Sequence, residues 1–171
     1  MKDEEIFLLD SNVLIYAYDK DEDKKRKIAS NLLSFCFKKE KKFALTNQIL
    51  AEFSSIFLQK GKGDINFLKL IINDILNCPE FIKLRYNERT ILKALSIKGE
   101  FKIHFWDSLI IATMKENGIY HIYTENIKDF NIFGIKAINP FIIWIFYFFL
   151  LNLNIRANII IPINKVIARE I

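Results

Sequence analysis

Histidine and cysteine are scarce in this chain: His104, His121, Cys36 and Cys78 are all there are among 171 residues. The two cysteines lack metal-ligand spacing and fall in apolar helical surroundings, so they are expected as buried, reduced thiols of a cytoplasmic protein. Two isolated histidines cannot build a His-rich metal centre. No Gly-rich turn follows the first apolar run, which excludes a phosphate-cradling nucleotide loop at that place. The acidic start and its short apolar stretch are not expected to act as a signal peptide. Near the other end, the uninterrupted apolar run Ile142–Leu151 falls well short of the roughly twenty residues that cross a bilayer. If the chain is an enzyme, its chemistry is expected to run on carboxylates.

What is present describes a globular domain. Hydrophobic residues make up 51% and charged residues 26%, and the length suits one domain with a full core. A net charge of +5 favours nucleic acid or another anionic partner without identifying one. Much of that charge lies in "DKKRK" (Asp23 to Lys27) and "KKEKK" (Lys38 to Lys42), which read first as the solvated side or end of a helix.

Along the chain, apolar β-prone runs alternate with helical periods. Ile6 to Leu9 predicts a buried strand, then a short helix over Asn12 to Tyr18 with Ser11 or Asn12 as its cap. A helix over Glu22 to Phe37 follows from the spacing of Ile28, Ala29, Leu32, Leu33 and Phe37. "FALT" (Phe43 to Thr46) is a second strand, with a helix over Gln48 to Gln59 capped by Asn47. Gly61-Lys62-Gly63 breaks the chain, and Asp64 caps a helix running to about Leu76. "FIKLRY" (Phe81 to Tyr86) is a third strand, and Asn87 caps a helix to about Lys98. A helix over Trp106 to Asn117 is closed by Gly118, and "HIYT" and "IKAIN" complete the set as strands. This alternation predicts an α/β fold: a parallel sheet of about five strands covered on both faces, with ligands at the carboxyl ends of the strands.

Three acids sit where packing alone would not choose a charge. Asp10 ends the first apolar run; Glu52 lies on the first turns of the helix after the second strand; Asp107 opens a helix that is otherwise apolar on its inner face. Each is expected at or just past the carboxyl end of a strand, so that all three converge on one edge of the sheet. Singly, each reads as a cap, a dipole partner or a solvated side chain. Clustered, they repel and their pKa values rise, a penalty that a hard divalent cation removes. Mg²⁺ or Mn²⁺ takes oxygen ligands and keeps several waters, and there it offers an activated water and a clamp on phosphoryl oxygens.

The stretches "FLLDSNVLIYA", "TNQILAEF", "FWDSLIIATMKENG", "IYTENIKDF" and "GIKAINPF" resemble, in order and spacing, the successive motifs of PIN domains. The likeness is to the VapC-type toxins of toxin–antitoxin pairs, and it covers about Ile6 to Phe141. It implies a three-layer α/β/α sandwich and a metal-dependent endoribonuclease held inactive by a cognate antitoxin, in a family whose toxins often pair. By resemblance, Asp10, Glu52 and Asp107 match the acidic metal-site residues, Ser11 and Asn12 the polar pair after the first Asp, and Thr124 the polar residue ending the fourth strand. The family usually carries a fourth acid two residues beyond that threonine, where this chain has Asn126. Glu125 and Asp129 are nearby acids, the first pointing differently and the second further round the loop. Weakened binding of a second metal is the expected consequence, and a domain that binds RNA or protein without cutting is the alternative.

Other folds with an Asp after the first strand fit poorly. Haloacid-dehalogenase-like phosphatases need a second Asp where this chain has Asn12, and receiver domains need an Asp and Lys pair on later strands that is missing. Phe105 and Trp106 are expected to pack in the core rather than stack on bases. His104 is expected at the surface. Residues 142–171 form an apolar extension outside the domain pattern of 1–141. Lacking an amphipathic period, the extension reads as fortuitous appended sequence. The alternatives are an element packed on the domain, a dimer element or an interfacial segment, with membrane contact not expected. A native protein whose intact mass ends near Phe141 would contradict retention of that tail.

Overall fold

The computed structural model describes residues 5–59, 64–130, 132 and 134–142. The Gly61–Gly63 break and the extension from residue 143 onward lie outside the described residues. Among the described residues, five strands and seven helices follow one another as β1 (Phe7–Leu9), α1 (Ser11–Tyr18), α2 (Asp23–Phe37), β2 (Phe43–Thr46), α3 (Asn47–Gln59), α4 (Ile65–Asn77), β3 (Phe81–Leu84), α5 (Glu88–Phe101), α6 (Phe105–Glu116), β4 (His121–Tyr123), α7 (Ile127–Phe130) and β5 (Lys136–Ile138). The sheet runs β3-β2-β1-β4-β5 with every pairing parallel, in the middle layer of an α/β/α sandwich.

Short strands buried on both faces explain that layering. Every residue of β1 and β2 is buried, so these strands are continuous apolar runs instead of alternating ones. Phe7, Leu8 and Leu9 are at most 1% exposed and pack with Val13, Leu14, Ile49, Phe53, Ile122 and Phe141 in one core. Each such side chain contributes about 1.5–3 kcal/mol through burial, enough in sum to hold strands of three or four residues in register.

The helix caps account for most boundaries. Asp64 accepts from the backbone N–H of Asn66, and Asn87 forms a reciprocal capping box with Thr90, as the spacing predicts. Gly118 ends α6 at φ +68°, a left-handed position that a side chain would strain. Besides shifts of one to three residues at element ends, two caps and one element differ from expectation. Asp10 itself caps α1, taking the role assigned to Ser11 or Asn12. Thr46 accepts the N–H of Ile49, which leaves Asn47 inside α3. The four-residue α7, absent from the sequence reading, turns the chain after β4.

Chain order reverses at β1: β2 and β3 extend the sheet to one side, β4 and β5 to the other. The crevice at such a reversal, outside the strand carboxyl ends, is where open α/β sheets place ligands. The "KKEKK" block immediately precedes β2 and therefore lies at the opposite, amino-terminal edge of the sheet.

Candidate active site

Asp10 occupies that crevice. Its backbone N–H extends the ladder beyond β1 by donating to the Tyr123 carbonyl at 3.0 Å. The side chain then turns into a ring of donors. Oδ1 accepts from the Ser11 N–H at 2.7 Å and, more weakly, from the Ser11 hydroxyl at 3.4 Å. Oδ2 accepts from Asn12 Nδ2 and from the Thr124 hydroxyl, both at 2.6 Å. A helix cap needs one accepted N–H; Asp10 is 7% exposed, and its carboxyl is engaged by polar groups from the start of α1 and from just beyond β4. Burial raises its pKa, as does the charge of Glu52, while the Thr124 and Ser11 hydrogen bonds oppose the rise.

Ser11, Asn12 and Thr124 form the frame around it. The Asn12 amide donates additionally to Thr124 Oγ1 at 3.2 Å and accepts the Glu125 N–H at 3.3 Å. Thr124 Oγ1 in turn accepts the N–H of Asn126 at 3.0 Å. Behind this frame, Glu125 receives Tyr16 Oη at 2.6 Å and Lys25 Nζ at 2.5 Å, tying α1 and α2 to the end of β4. Burial works against the Glu125 charge, but those two bonds outweigh it and lower the pKa. Glu125 is thus spent on a salt bridge at the back of the frame, in agreement with its expected different direction.

Asp107 reaches the same edge by a route the sequence reading did not foresee. It does not follow a strand. The β3-to-β4 connection is a helical hairpin, with the start of α5 against the end of α6 through Thr90 Oγ1 to Glu116 at 2.7 Å and Lys93 to Glu116 at 2.7 Å. Ala94, Leu109 and Ala112 form its small core. The hairpin returns the start of α6, and Asp107 in its first turn, to the acids. Asp107 titrates near pH 6, raised first by burial and then by the charges of Asp129, Asp10 and Glu52, with His104 pulling the other way.

That set of neighbours brings in a residue the sequence reading left aside. Asp129, on α7, is the carboxylate felt most strongly by Asp107. Asn126 donates its amide to Asp129 Oδ2, so the residue standing where a fourth acid was expected holds an acid three positions on. The spacing of Asn126, which immediately precedes α7, and Asp129 within it was the available signal. If Asp129 serves the site, Asp129→Asn should weaken Mn²⁺ binding by about tenfold, measured as a smaller Mn²⁺-induced rise in melting temperature.

Glu52 is half-buried on α3, and its Oε1 accepts from Gln48 Nε2 at 2.7 Å. Phe105 packs against the α5–α6 core as expected. Trp106 does not: it is 50% exposed, immediately beside Asp107. His104 is exposed, as expected.

Among the described residues no three Asp, Glu, His or Cys side chains form a ready-made metal cage. The donor set still suits a hard cation. Asp107 is burdened by three other carboxylates, a repulsion that a cation keeping most of its own waters would relieve.

The PIN domain family model matches residues 7–132. The chain belongs to the PIN domain family. Its fold is similar to a toxin–antitoxin complex from Klebsiella pneumoniae, at 19% identity and TM-score 0.54 over 78% of this chain and 97% of the other. VapBC2 from Rickettsia felis, bound to a DNA fragment from its promoter, is similar at 19% identity and TM-score 0.57, over 78% and 98%. VapC20 of Mycobacterium tuberculosis, a sarcin–ricin loop cleaving toxin, is similar at 14% identity and TM-score 0.53, over 77% and 99%. No curated protein matches significantly. Among the described residues of this PIN domain, no helix is long and apolar enough to cross a membrane.

Proposed function

We propose that this PIN domain is a metal-dependent endoribonuclease of the cytoplasm and the toxin of a toxin–antitoxin pair, with residues 1–141 as the nuclease and 142–171 as an extension. The observation that carries this reading is the Asp10 carboxyl, buried at the switch point of the sheet and held on both oxygens by Ser11, Asn12 and Thr124, together with the charges of Asp129, Asp10 and Glu52 that help push the Asp107 carboxyl up to about 6. The matched toxin–antitoxin folds support an antitoxin partner; pairing with a second copy is what the resemblance to the family's toxins implies. The +5 charge suits an RNA substrate.

Asp10 and Asp107 would be the principal ligands of Mg²⁺ or Mn²⁺, with Glu52 completing the shell directly or through water. The ion, when bound, supplies an activated water and neutralises charge on the phosphoryl oxygens. The chain's own part is orientation and proton transfer. Ser11, Asn12 and Thr124 fix both oxygens of Asp10, so that carboxylate is presented to the cation without searching for a rotamer. Glu52 would take the proton of the attacking water, a role that contributes typically 10²–10⁴-fold. Glu52→Gln is therefore expected to slow cleavage by at least about 100-fold at saturating RNA. Cleavage of a mixed RNA pool at the wild-type rate by Glu52→Gln would show that the residue has no such role. If folded wild-type protein cuts no RNA with Mg²⁺ or Mn²⁺, the binding-module alternative takes its place.

A further inference from the structure

Gln48 is the second residue of α3 and is 6% exposed. Its two amide protons are spent on the two helices that carry acids. Nε2 donates to Glu52 Oε1 at 2.7 Å and to the carbonyl of Trp106, the residue before Asp107, at 3.1 Å. Its Oε1 is buried and has no hydrogen-bond partner among the described residues. A side chain kept merely to tie α3 to α6 would not need the contact to Glu52. An apolar residue at this place would fill the same space without orphaning an acceptor. Holding Glu52 is what the amide adds.

We propose that Gln48 is a positioning residue for the acid site, an inference that rests on the nuclease reading above. By gripping Oε1 of Glu52 from a point anchored on the α6 backbone, it fixes the spacing of Glu52 and Asp107. It also leaves Oε2 as the oxygen that Glu52 offers to the metal or to its water. Glu52 then acts through one oxygen in a set direction, and the two acid-bearing helices keep their register when the site is loaded.

The test is Gln48→Leu in the full chain, with Mn²⁺ affinity read by calorimetric titration, kcat and KM by RNA cleavage, and folding by the metal-free melting curve. The expected result is a fall of about 10–100-fold in both Mn²⁺ affinity and kcat, the range seen when outer hydrogen bonds to metal ligands are removed. The KM for RNA should change by no more than about twofold, since Gln48 is only 6% exposed. In a Glu52→Gln background, Gln48→Leu should lower Mn²⁺ affinity no further, because the residue acts through Glu52. Gln48→Met, close to glutamine in length, carries the same expectations and decides the matter if the leucine variant fails to fold. Wild-type Mn²⁺ affinity and kcat in a folded variant, or losses that add fully in the Glu52→Gln background, would overturn the positioning role alone. Wild-type protein that neither takes up Mn²⁺ nor cuts RNA would overturn the nuclease reading, and this inference with it.

Discussion

Asp10→Asn is expected to cut metal-dependent RNA cleavage by about 1,000-fold or more, the loss of several kcal/mol of transition-state stabilisation. The argument starts from the hydrogen bonds. Among the described residues, the hydrogen-bond partners of the side chain are all donors to it: Ser11 N–H and hydroxyl on Oδ1, Asn12 Nδ2 and the Thr124 hydroxyl on Oδ2. A carboxylate answers both groups. An amide answers one and turns its own NH₂ against the other, so Asn at this place loses two accepted bonds as well as its charge. Lost bonds of this kind cost about 1–3 kcal/mol, partly offset because a buried charge has gone. The variant should therefore fold while failing to hold the cation. Products from a mixed RNA pool with Mg²⁺, Mn²⁺ or EDTA give the measurement. Discrete, EDTA-sensitive products from wild type and none from Asp10→Asn are the expected result. Equal cleavage by both would remove Asp10 from the site.

Asp10 was legible in the sequence because its setting is local. An apolar run that stops at a carboxylate and resumes after two further polar residues defines a strand, its end and the next helix at once. The strands buried on both faces, and the Asp64 and Asn87 caps, were legible for the same reason. The parts that were missed depend on where distant segments fold. Asp107 reaches the edge through a helical hairpin, and nothing in its own neighbourhood shows that the start of α5 will dock on the end of α6. Asp129 looked remote by counting along a loop, yet one turn of helix brings it to Asp107. Gln48 was passed over because a glutamine on an amphipathic helix ordinarily faces water. Its burial arises from α6 covering that turn of α3 with the Trp106 carbonyl. Trp106 was misassigned to the core by its neighbour: Phe105 faces the hairpin's apolar contacts, and the next residue on the helix does not.

The electrostatic load on Asp107 leads to a second large effect, on stability. In the folded protein its carboxyl titrates near 6, against about 3.9 in an unfolded chain. Between those values the native state holds a proton that the unfolded state releases. The stability of metal-free protein must then fall as pH rises through this window, and stay low above it. Asp107→Asn has no such proton to lose. At pH 7.5 without metal it should be more stable than wild type by about 1–2 kcal/mol, a figure already reduced for the partial exposure of the group. For a domain of this size that is a rise of roughly 2–8 °C in melting temperature. Near pH 4 and below, where both side chains are neutral, the two melting curves should converge. Mn²⁺ should reverse the order at neutral pH, raising wild type well above the variant, since a cation that binds the native state stabilises it by mass action. A variant less stable than wild type at pH 7.5 without metal would mean that the Asp107 charge is supported by the fold. A site built to hold a cation predicts the opposite: acids that weaken the empty protein and strengthen the loaded one.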